Sequence, residues 1–478
     1  MAGRSGAQLQ GRGRVFARLG GWFAAHPAVQ QWLKVLRLGL FQFGMGLSLA
    51  PITGTLNRVL IDELRIPAAA VALLIAIHYF VSPLRAIVGF RSDQRRADGH
   101  WRTPGVVLGA MLTFGGLTCA PFALILLSGD GLLSFPLAML VCFVIFLVYG
   151  VGVNMVETMY LAVVSDITPP RDRGRVLAVL WMMLVLGTVV GSFVVGSLLV
   201  DYSHYRLIQV MQGSALVFVL LTFLAMMRQE RLKPNGQVES LNDTVVVRMS
   251  LWDSLRLLAR QRMLLALFGV LFLATAAFAS HDVLLEPYGG QILDMSVMAT
   301  TQLTSLWGVA MLVAVAAAGL WLWRGRSAVF LIGLGALVGA LGFGVISYAS
   351  DAALVQPFRL GVALIGLGRG AFIVGSVALM MSLADRSHAG LFIGLWGVMQ
   401  SLAQGIGVVG SGFARDLAQS VTGSTLLGYT AVYITALACL LLALVLLLVL
   451  RLDRRISAGA VRSPWANLQD IPGDQLIY

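Results

Sequence analysis

The sequence predicts an all-α membrane protein in which twelve transmembrane helices form two six-helix bundles. Three observations carry this reading. The chain holds twelve apolar runs, each long enough at 1.5 Å rise per residue to cross a hydrocarbon core of ~30 Å. Most of the 34 Lys and Arg residues fall in every second gap between those runs. One long polar stretch, 228–262, divides the runs six and six. Composition agrees, because a chain that is 58% hydrophobic and 12% charged, with a mean hydropathy of +0.86, has lipid rather than water as its solvent. The net charge of +12 could suggest nucleic acid, but it lines one membrane face, where it sets topology and meets anionic lipid.

Taken in order, the spans fall near 38–60, 68–90, 105–128, 134–164, 175–200, 206–227, 263–285, 297–323, 327–349, 355–383, 390–413 and 426–450. Residues 1–37 form an amino-terminal segment with Arg4, Arg12, Arg14, Arg18, Lys34 and Arg37. Residues 1–28 contain no apolar core of the kind a cleavable signal needs. Within it, 27–37 either lies on the membrane surface as an amphipathic helix or extends span 1 inward. Arg91, Arg95, Arg96 and Arg102 follow span 2, and Arg171, Arg173 and Arg175 follow span 4. The linker 228–262 breaks at Pro234, Asn235 and Gly236, and its part 251–262 reads as an amphipathic helix. Arg324, Arg326 and Arg386 mark the eighth and tenth gaps, and 451–478 is a basic tail. Basic loops stay cytoplasmic, so both termini are expected on that side. Cys119, Cys142 and Cys439 all sit inside apolar runs, which argues against a disulfide framework or a zinc site.

The two halves echo each other. Arg175 to Trp181, opening span 5, resembles Gly390 to Trp396, opening span 11, and each follows an Asp-Arg pair (Asp172-Arg173, Asp385-Arg386). Asn57-Arg58-Val-Leu-Ile-Asp62 lines up with His281-Asp282-Val-Leu-Leu-Glu286. Between spans 2 and 3, Gly89-Phe-Arg-Ser-Asp93-Gln-Arg95-Arg96 resembles the loop motif of the major facilitator superfamily, which is built from six-plus-six repeats. That resemblance implies a cavity between the halves near the midplane.

A narrower resemblance covers about 32–400. Its elements are Leu38-Gly-Leu-Phe-Gln42, Gly54-Thr-Leu-Asn57-Arg58-Val, Pro83-Leu-Arg85-Ala-Ile-Val-Gly89, Leu127-Ser-Gly-Asp130, Arg206 to Gly213, and Asp282-Val-Leu-Leu-Glu286-Pro-Tyr-Gly-Gly290. They are similar to the bacteriochlorophyll-delivery family of that superfamily, the PucC/LhaA type. The Ser-Gly-Asp and Arg-Leu-Ile-Gln elements are closer to the LhaA side, linked with the core light-harvesting antenna, than to the PucC side, linked with the peripheral one. The Gly-rich stretch of span 10 is matched only in part by Gly366-Leu-Gly368-Arg369-Gly370. The resemblance implies a protein of the bacterial inner, photosynthetic membrane that binds or delivers bacteriochlorophyll. Its partners would be light-harvesting polypeptides, the reaction centre–antenna complex or pigment-synthesis enzymes. An ion-coupled solute transporter and a pigment-free assembly factor remain open as alternatives.

Ionisable groups inside spans cost roughly 2.5–3.5 kcal/mol each on insertion scales, so each needs a partner or a purpose. Arg85 of span 2 and Glu157 of span 4 lie at similar depth and are expected to pair. Asp93 is expected to lock the basic end with loop arginines or a helix end. Arg369 sits too deep in span 10 to snorkel, so it faces either substrate or an ion pair, whereas Arg359 can snorkel. Arg58 and Asp282, with Asn57, Asp62, Glu63, His281 and Glu286 around them, are expected to form a gate between spans 1 and 7; pigment contact or simple capping are the alternatives there.

For a magnesium tetrapyrrole the useful donor is a neutral His nitrogen beside a broad apolar wall. His78, followed by Tyr79 and Phe80, fits that need, although a lone intramembrane His also serves as a helix-packing residue. His26, His100, His204 and His388 fall in loops or termini and are expected to do nothing specific. Trp181, Trp307, Trp321, Trp323 and Trp396 read as members of interfacial aromatic belts. No phosphate-binding Gly-rich loop, nucleophile elbow or Cys-x-x-Cys is present, so nothing in the motifs argues for an enzyme.

Overall fold

Prolines and short polar runs decide where the spans stop being straight α-helix. The computed structural model describes residues 27–97, 100–128, 133–169, 172–230, 262–352, 354–383 and 389–450. The expectations for the first residues of the chain, for the linker helix 251–262 and for the tail lie outside the described residues.

Span 1 is an α-helix, Pro27–Ala50, continued by π-helical turns over Pro51–Leu56 and Val59–Glu63. The helix runs unbroken from Pro27, so 27–37 extends span 1 rather than lying apart from it. Pro51 has no N–H to give, and the widened turns that follow are served by side chains: Thr53 Oγ1 donates to Leu49 O at 3.1 Å, and Asn57 Nδ2 donates to Thr53 O. Span 2 is broken into Ala68–Phe80 and Leu84–Ala97, with Pro83 in the break. Span 3 comprises Thr103–Cys119, the 3₁₀ turn Ala120–Phe122 around Pro121, and Ala123–Leu126. Spans 4, 5 and 6 are Phe135–Ile167, Arg173–Leu198 and His204–Met226. Span 7 is interrupted between Arg262–Ala279 and Leu285–Gln291. Spans 8 to 12 are Val297–Trp323, Ala328–Ala352, Val355–Leu383, Ala389–Thr422 and Thr425–Val449.

Ten of these segments are long and apolar enough to cross a membrane. The remaining two are span 2, split by its break, and span 11, which carries Gln400, Gln404, Arg415 and Asp416 among its apolar residues. We call the end of the bundle that carries the basic gaps the basic end, and the opposite end the far end. Spans 6, 8 and 12 start at the far end with a serine cap: Ser203, Ser296 and Ser424 accept from the backbone N–H of Arg206, Ala299 and Leu427. Each cap satisfies one of the N–H groups a helix start leaves open.

In the amino-terminal half span 1 packs on spans 5 and 6, and span 3 on spans 4 and 6. In the other half span 9 packs on spans 10 and 12, and span 7 on spans 11 and 12. The halves meet where span 5 packs on span 8 and span 2 on span 11. Span 1 approaches span 5 at backbone distance, because Gly46 lies directly on the backbone of Leu184 and Gly187 on that of Phe43. Without water to expel, tight van der Waals contact of this kind is what holds helices together in lipid.

That contact yields a paired expectation. Gly187→Leu has no room for its side chain and should lower stability by at least the ~1–3 kcal/mol typical of overpacking. Gly213→Leu, on an open face of span 6 with nothing near its missing Cβ, should be neutral. Thermal unfolding followed by size-exclusion yield compares the two.

Candidate functional site

The break in span 2 creates the first part of the site. Pro83 cannot donate, and Ser82 N turns back to Tyr79 O at 3.2 Å, so the carbonyl of His78 is left without a helical partner. Asn154 of span 4 repairs it, with Nδ2 donating to His78 O at 2.8 Å and to Gly150 O at 2.8 Å. Gly150 leaves no gap there, since its Cα face lies against the backbone of His78. The Oδ1 of the same Asn154 accepts from Arg85 Nε, and Arg85 Nη2 forms an ion pair with Glu157. The structure therefore places Arg85 and Glu157 together as the sequence suggests. Asn154, which orients both the broken strand of backbone and Arg85, is the member of the group that sequence reasoning missed.

His78 points its Nδ1 at Ile75 O, 2.7 Å away. A carbonyl only accepts, so in the neutral ring Nδ1 carries the proton and Nε2 keeps its lone pair. Tyr79 lies beside the imidazole at a ring separation of 3.8 Å, and Tyr149 meets it edge-on at 6.2 Å. Phe80 is partly exposed and rests, with Tyr79, against Gly405 of span 11 in the other half.

The break in span 7 supplies the second part. Past Ala279 the chain leaves the α-helix for turns before Leu285, and Asp282 in that stretch reaches Arg369 of span 10 at 2.7 Å. The guanidinium lies over the ring of Trp307, 5.3 Å from its centroid. His281 hydrogen-bonds through Nδ1 to Phe278 O and holds Nε2 3.6 Å from Asp282 Oδ1.

Four expectations change. The gate pair Arg58–Asp282 is not formed. Unwinding of span 7 turns Asp282 toward span 10, while Arg58 binds Asp62 one turn on at 3.5 Å and donates to Met295 O at 2.9 Å. Among the described residues Glu286 forms no ion pair either; its Oε1 accepts from Thr304 at 2.8 Å. Trp307 stands inside the bundle under Arg369 rather than in an interfacial belt, whereas Trp323 is 84% exposed. His204, expected to be idle, lies 3.0 Å from Glu63. Arg359 is half-buried in span 10, and the side chain of Asp93 lies outside the described residues.

The basic end of the amino-terminal half is held by residues the loop motif did not single out. Arg102, nearly sealed from solvent, contacts Asp166 at 3.0 Å and Ser92 at 2.6 Å, and Glu230 accepts from the backbone N–H of Arg102 and Thr103.

At the far end the halves are stitched together. Thr55 bonds Thr301 at 3.0 Å, Asn57 donates to Val283 O at 3.0 Å, Gln291 donates to Ile61 O at 3.0 Å, and Ala69 N donates to Asp416 at 2.8 Å. A cavity of about 220 Å³ opens beside this seam, lined by Asp62, Arg65, Gln291, Arg415, Gln419 and Thr425. It is a far-end feature, separate from His78.

Among the described residues no cluster of three or more His, Cys, Asp or Glu could hold a metal ion on its own. What the centre offers is the imidazoles of His78 and His281, an aromatic surface and two ion pairs. The pair in the carboxyl-terminal half is the more enclosed, at 13% and 20% side-chain exposure for Arg369 and Asp282. Arg369→Gln should leave Asp282 unpaired and destabilise by ~3–5 kcal/mol, with partial rescue by Asp282→Asn in a double-mutant cycle. Arg58→Gln combined with Asp282→Asn should be additive. Unfolding free energies in detergent or lipid decide both.

Comparison with known proteins matches this architecture. A family model described as PUCC protein matches residues 55–455. The chain is 35% identical over 390 residues to Protein PucC of Rhodovulum sulfidophilum, covering 80% of this chain and 85% of that protein. It is 31% identical over 398 residues to a Rhodobacter capsulatus protein named bacteriochlorophyll synthase 44.5 kDa chain, covering 81% and 88%. Among solved structures, the nucleoside transporter NupG superposes with a TM-score of 0.67 at 12% identity, over 87% of this chain and 99% of that one. The fold is thus that of the major facilitator superfamily, and the chain belongs to the PUCC protein family.

Proposed function

We propose that this protein binds bacteriochlorophyll as cargo between its halves and hands it to light-harvesting polypeptides, those of the core antenna in particular. The observation that carries the reading is His78. Its Nδ1 is committed to a backbone carbonyl, which leaves Nε2 as a neutral donor, the arrangement in which protein imidazoles bind metals. The cargo's own magnesium needs one axial donor and the macrocycle needs flat apolar contact, which Tyr79, Tyr149 and Phe80 would give. Arg85 and Arg369 would meet its polar substituents, each already tied to a carboxylate that keeps it in place.

A transporter-like fold supports handling of the pigment rather than chemistry on it, and the name of the Rhodobacter capsulatus relative supports a link to bacteriochlorophyll. In this reading the protein works in the bacterial inner, intracytoplasmic photosynthetic membrane with both termini cytoplasmic, as the crowding of basic residues at one end supports. Newly inserted antenna helices, the reaction centre–antenna complex and pigment-synthesis enzymes would be its partners, and the lipid-facing sides of the spans would receive them.

The test is pigment retention. His78→Leu should lower co-purified bacteriochlorophyll per protein at least tenfold while protein yield holds, and His204→Leu, at the far end, should change neither. Equal loss of pigment and yield would make His78 a packing residue. Unchanged pigment in well-folded His78→Leu protein would remove the ligand role.

A further inference from the structure

The far-end cavity plays no part in the pigment reading. One wall belongs to the amino-terminal half, where span 1 ends at Asp62 and the chain turns through Arg65 into span 2. The facing wall belongs to the other half: Gln291 of span 7, Arg415 and Gln419 of span 11, and Thr425 of span 12. Arg65 has a backbone φ of +54°. That left-handed conformation is disfavoured for a long side chain and is ordinarily taken by Gly or Asn. The residue is exposed, and among the described residues its guanidinium makes no hydrogen bond or ion pair.

The other polar groups of the lining can be followed bond by bond. Gln291 Oε1 accepts from Arg415 Nη2 at 2.8 Å and from the Tyr429 hydroxyl at 2.9 Å, while its Nε2 donates to Ile61 O. Asp416 takes Arg415 Nη1 on Oδ1 at 2.8 Å and Ala69 N on Oδ2. Arg415, 6% exposed, thereby commits two of its five N–H groups and is fixed above the Tyr429 ring, 5.0 Å from its centroid. Gln419 Nε2 donates to Thr425 Oγ1 at 3.2 Å, which leaves Gln419 Oε1 buried without a donor. Among the described residues the Thr425 hydroxyl proton has no acceptor. Asp62 holds the 3.5 Å contact to Arg58, and Gly290 packs against that pair.

These leftovers define a ligand. Arg65, Arg415 and Thr425 can donate from the turn between spans 1 and 2, from span 11 and from span 12. A planar carboxylate offers its oxygens in one plane, whereas a tetrahedral oxyanion offers them in every direction and can meet three walls. Charge sets the rest. Arg58 with Asp62 and Arg415 with Asp416 are neutral pairs, and Glu63 is bound to His204 at 3.0 Å. Arg65 is therefore the uncompensated charge of the lining, and one negative charge balances it. Asp62 and Gln419 Oε1 can only accept, so a ligand that also carries a hydroxyl satisfies them, and one without it meets a carboxylate with no donor between.

We propose that the far-end cavity is a binding site for a singly charged phosphate group, either inorganic phosphate or the phosphodiester of a lipid headgroup. Arg65 holds it from one half of the molecule, Arg415 and Thr425 hold it from the other, and Asp62 and Gln419 accept from a hydroxyl that the ligand carries. Sulfate has the same shape but a second charge and no hydroxyl, so the site discriminates against it.

Isothermal titration calorimetry tests this on the full chain in maltoside micelles, in slightly acidic buffer where inorganic phosphate is mostly singly charged. Phosphate should bind at one site, and sulfate should bind about tenfold more weakly or worse, for want of a donor to Asp62. Glycerophosphoglycerol, a headgroup diester without acyl chains, separates the sources: tighter binding than phosphate assigns the site to a lipid headgroup, and the reverse order assigns it to the free ion. Arg65→Asn keeps the left-handed turn and removes the charge, so phosphate affinity should fall about tenfold or more at unchanged thermal stability. Asp62→Asn should narrow the gap between phosphate and sulfate. Absence of binding by both phosphate and the diester, sulfate bound as tightly as phosphate, wild-type affinity in Arg65→Asn, or an unchanged gap in Asp62→Asn would each overturn the proposal.

Discussion

In lipid every backbone polar group must find a partner inside the protein, and this requirement organises the centre of the molecule. Span 2 breaks at Pro83, which frees the carbonyl of His78, and Asn154 of span 4 answers it. The same amide steers Arg85 toward Glu157. A backbone defect thus fixes the position of one imidazole, one guanidinium and one carboxylate at once. Span 7 shows the same logic, where the unwound stretch after Ala279 delivers Asp282 to Arg369. At both breaks the interrupted span is met by polar side chains from a continuous neighbour, Asn154 of span 4 and Arg369 of span 10.

The rest of the bundle is arranged to tolerate these interruptions. Glycines bring spans 1 and 5 to backbone contact, serine caps close the far-end helix starts, and Arg102 with Asp166 and Glu230 fastens the basic end. The seam between halves at the far end mixes hydrogen bonds to backbone with the Gly54–Glu286 and Gly290–Arg58 contacts. Contacts made of single hydrogen bonds and buried ionisable groups can be exchanged for water at modest cost, unlike an interdigitated apolar core. A seam of that kind suits a molecule whose halves move relative to each other.

Much of this was legible in the sequence because lipid imposes simple rules. Apolar length gave the spans, and the Arg–Glu pair at matching depth was readable because an unpaired charge there is so unfavourable. The breaks were not legible. Pro83 and Pro51 each permit a kink, a π-turn or no disturbance, and the outcome depends on whether a neighbour such as Asn154 or Thr53 can serve the freed carbonyl. Misreading Arg58–Asp282 followed from the same gap: the sequence does not show that span 7 leaves the α-helix after Ala279, in the stretch where Asp282 meets Arg369. Trp307 was lost among belt tryptophans because its partner, Arg369, lies on a different span. The family resemblance pointed to the right family but not to which of its residues meet each other.

The proposed role of His78 makes a demand on the cargo as well as on the protein. If the imidazole Nε2 is the axial donor, affinity depends on the central magnesium, while the aromatic surface of Tyr79 and Tyr149 is indifferent to it. The most direct test is therefore to titrate the purified, pigment-free protein with bacteriochlorophyll and with the same macrocycle lacking magnesium, following absorption and tyrosine fluorescence. The account predicts tight binding of the magnesium pigment and at least tenfold weaker binding of the metal-free one, with the difference abolished in His78→Leu. Equal affinity for the two macrocycles would contradict it.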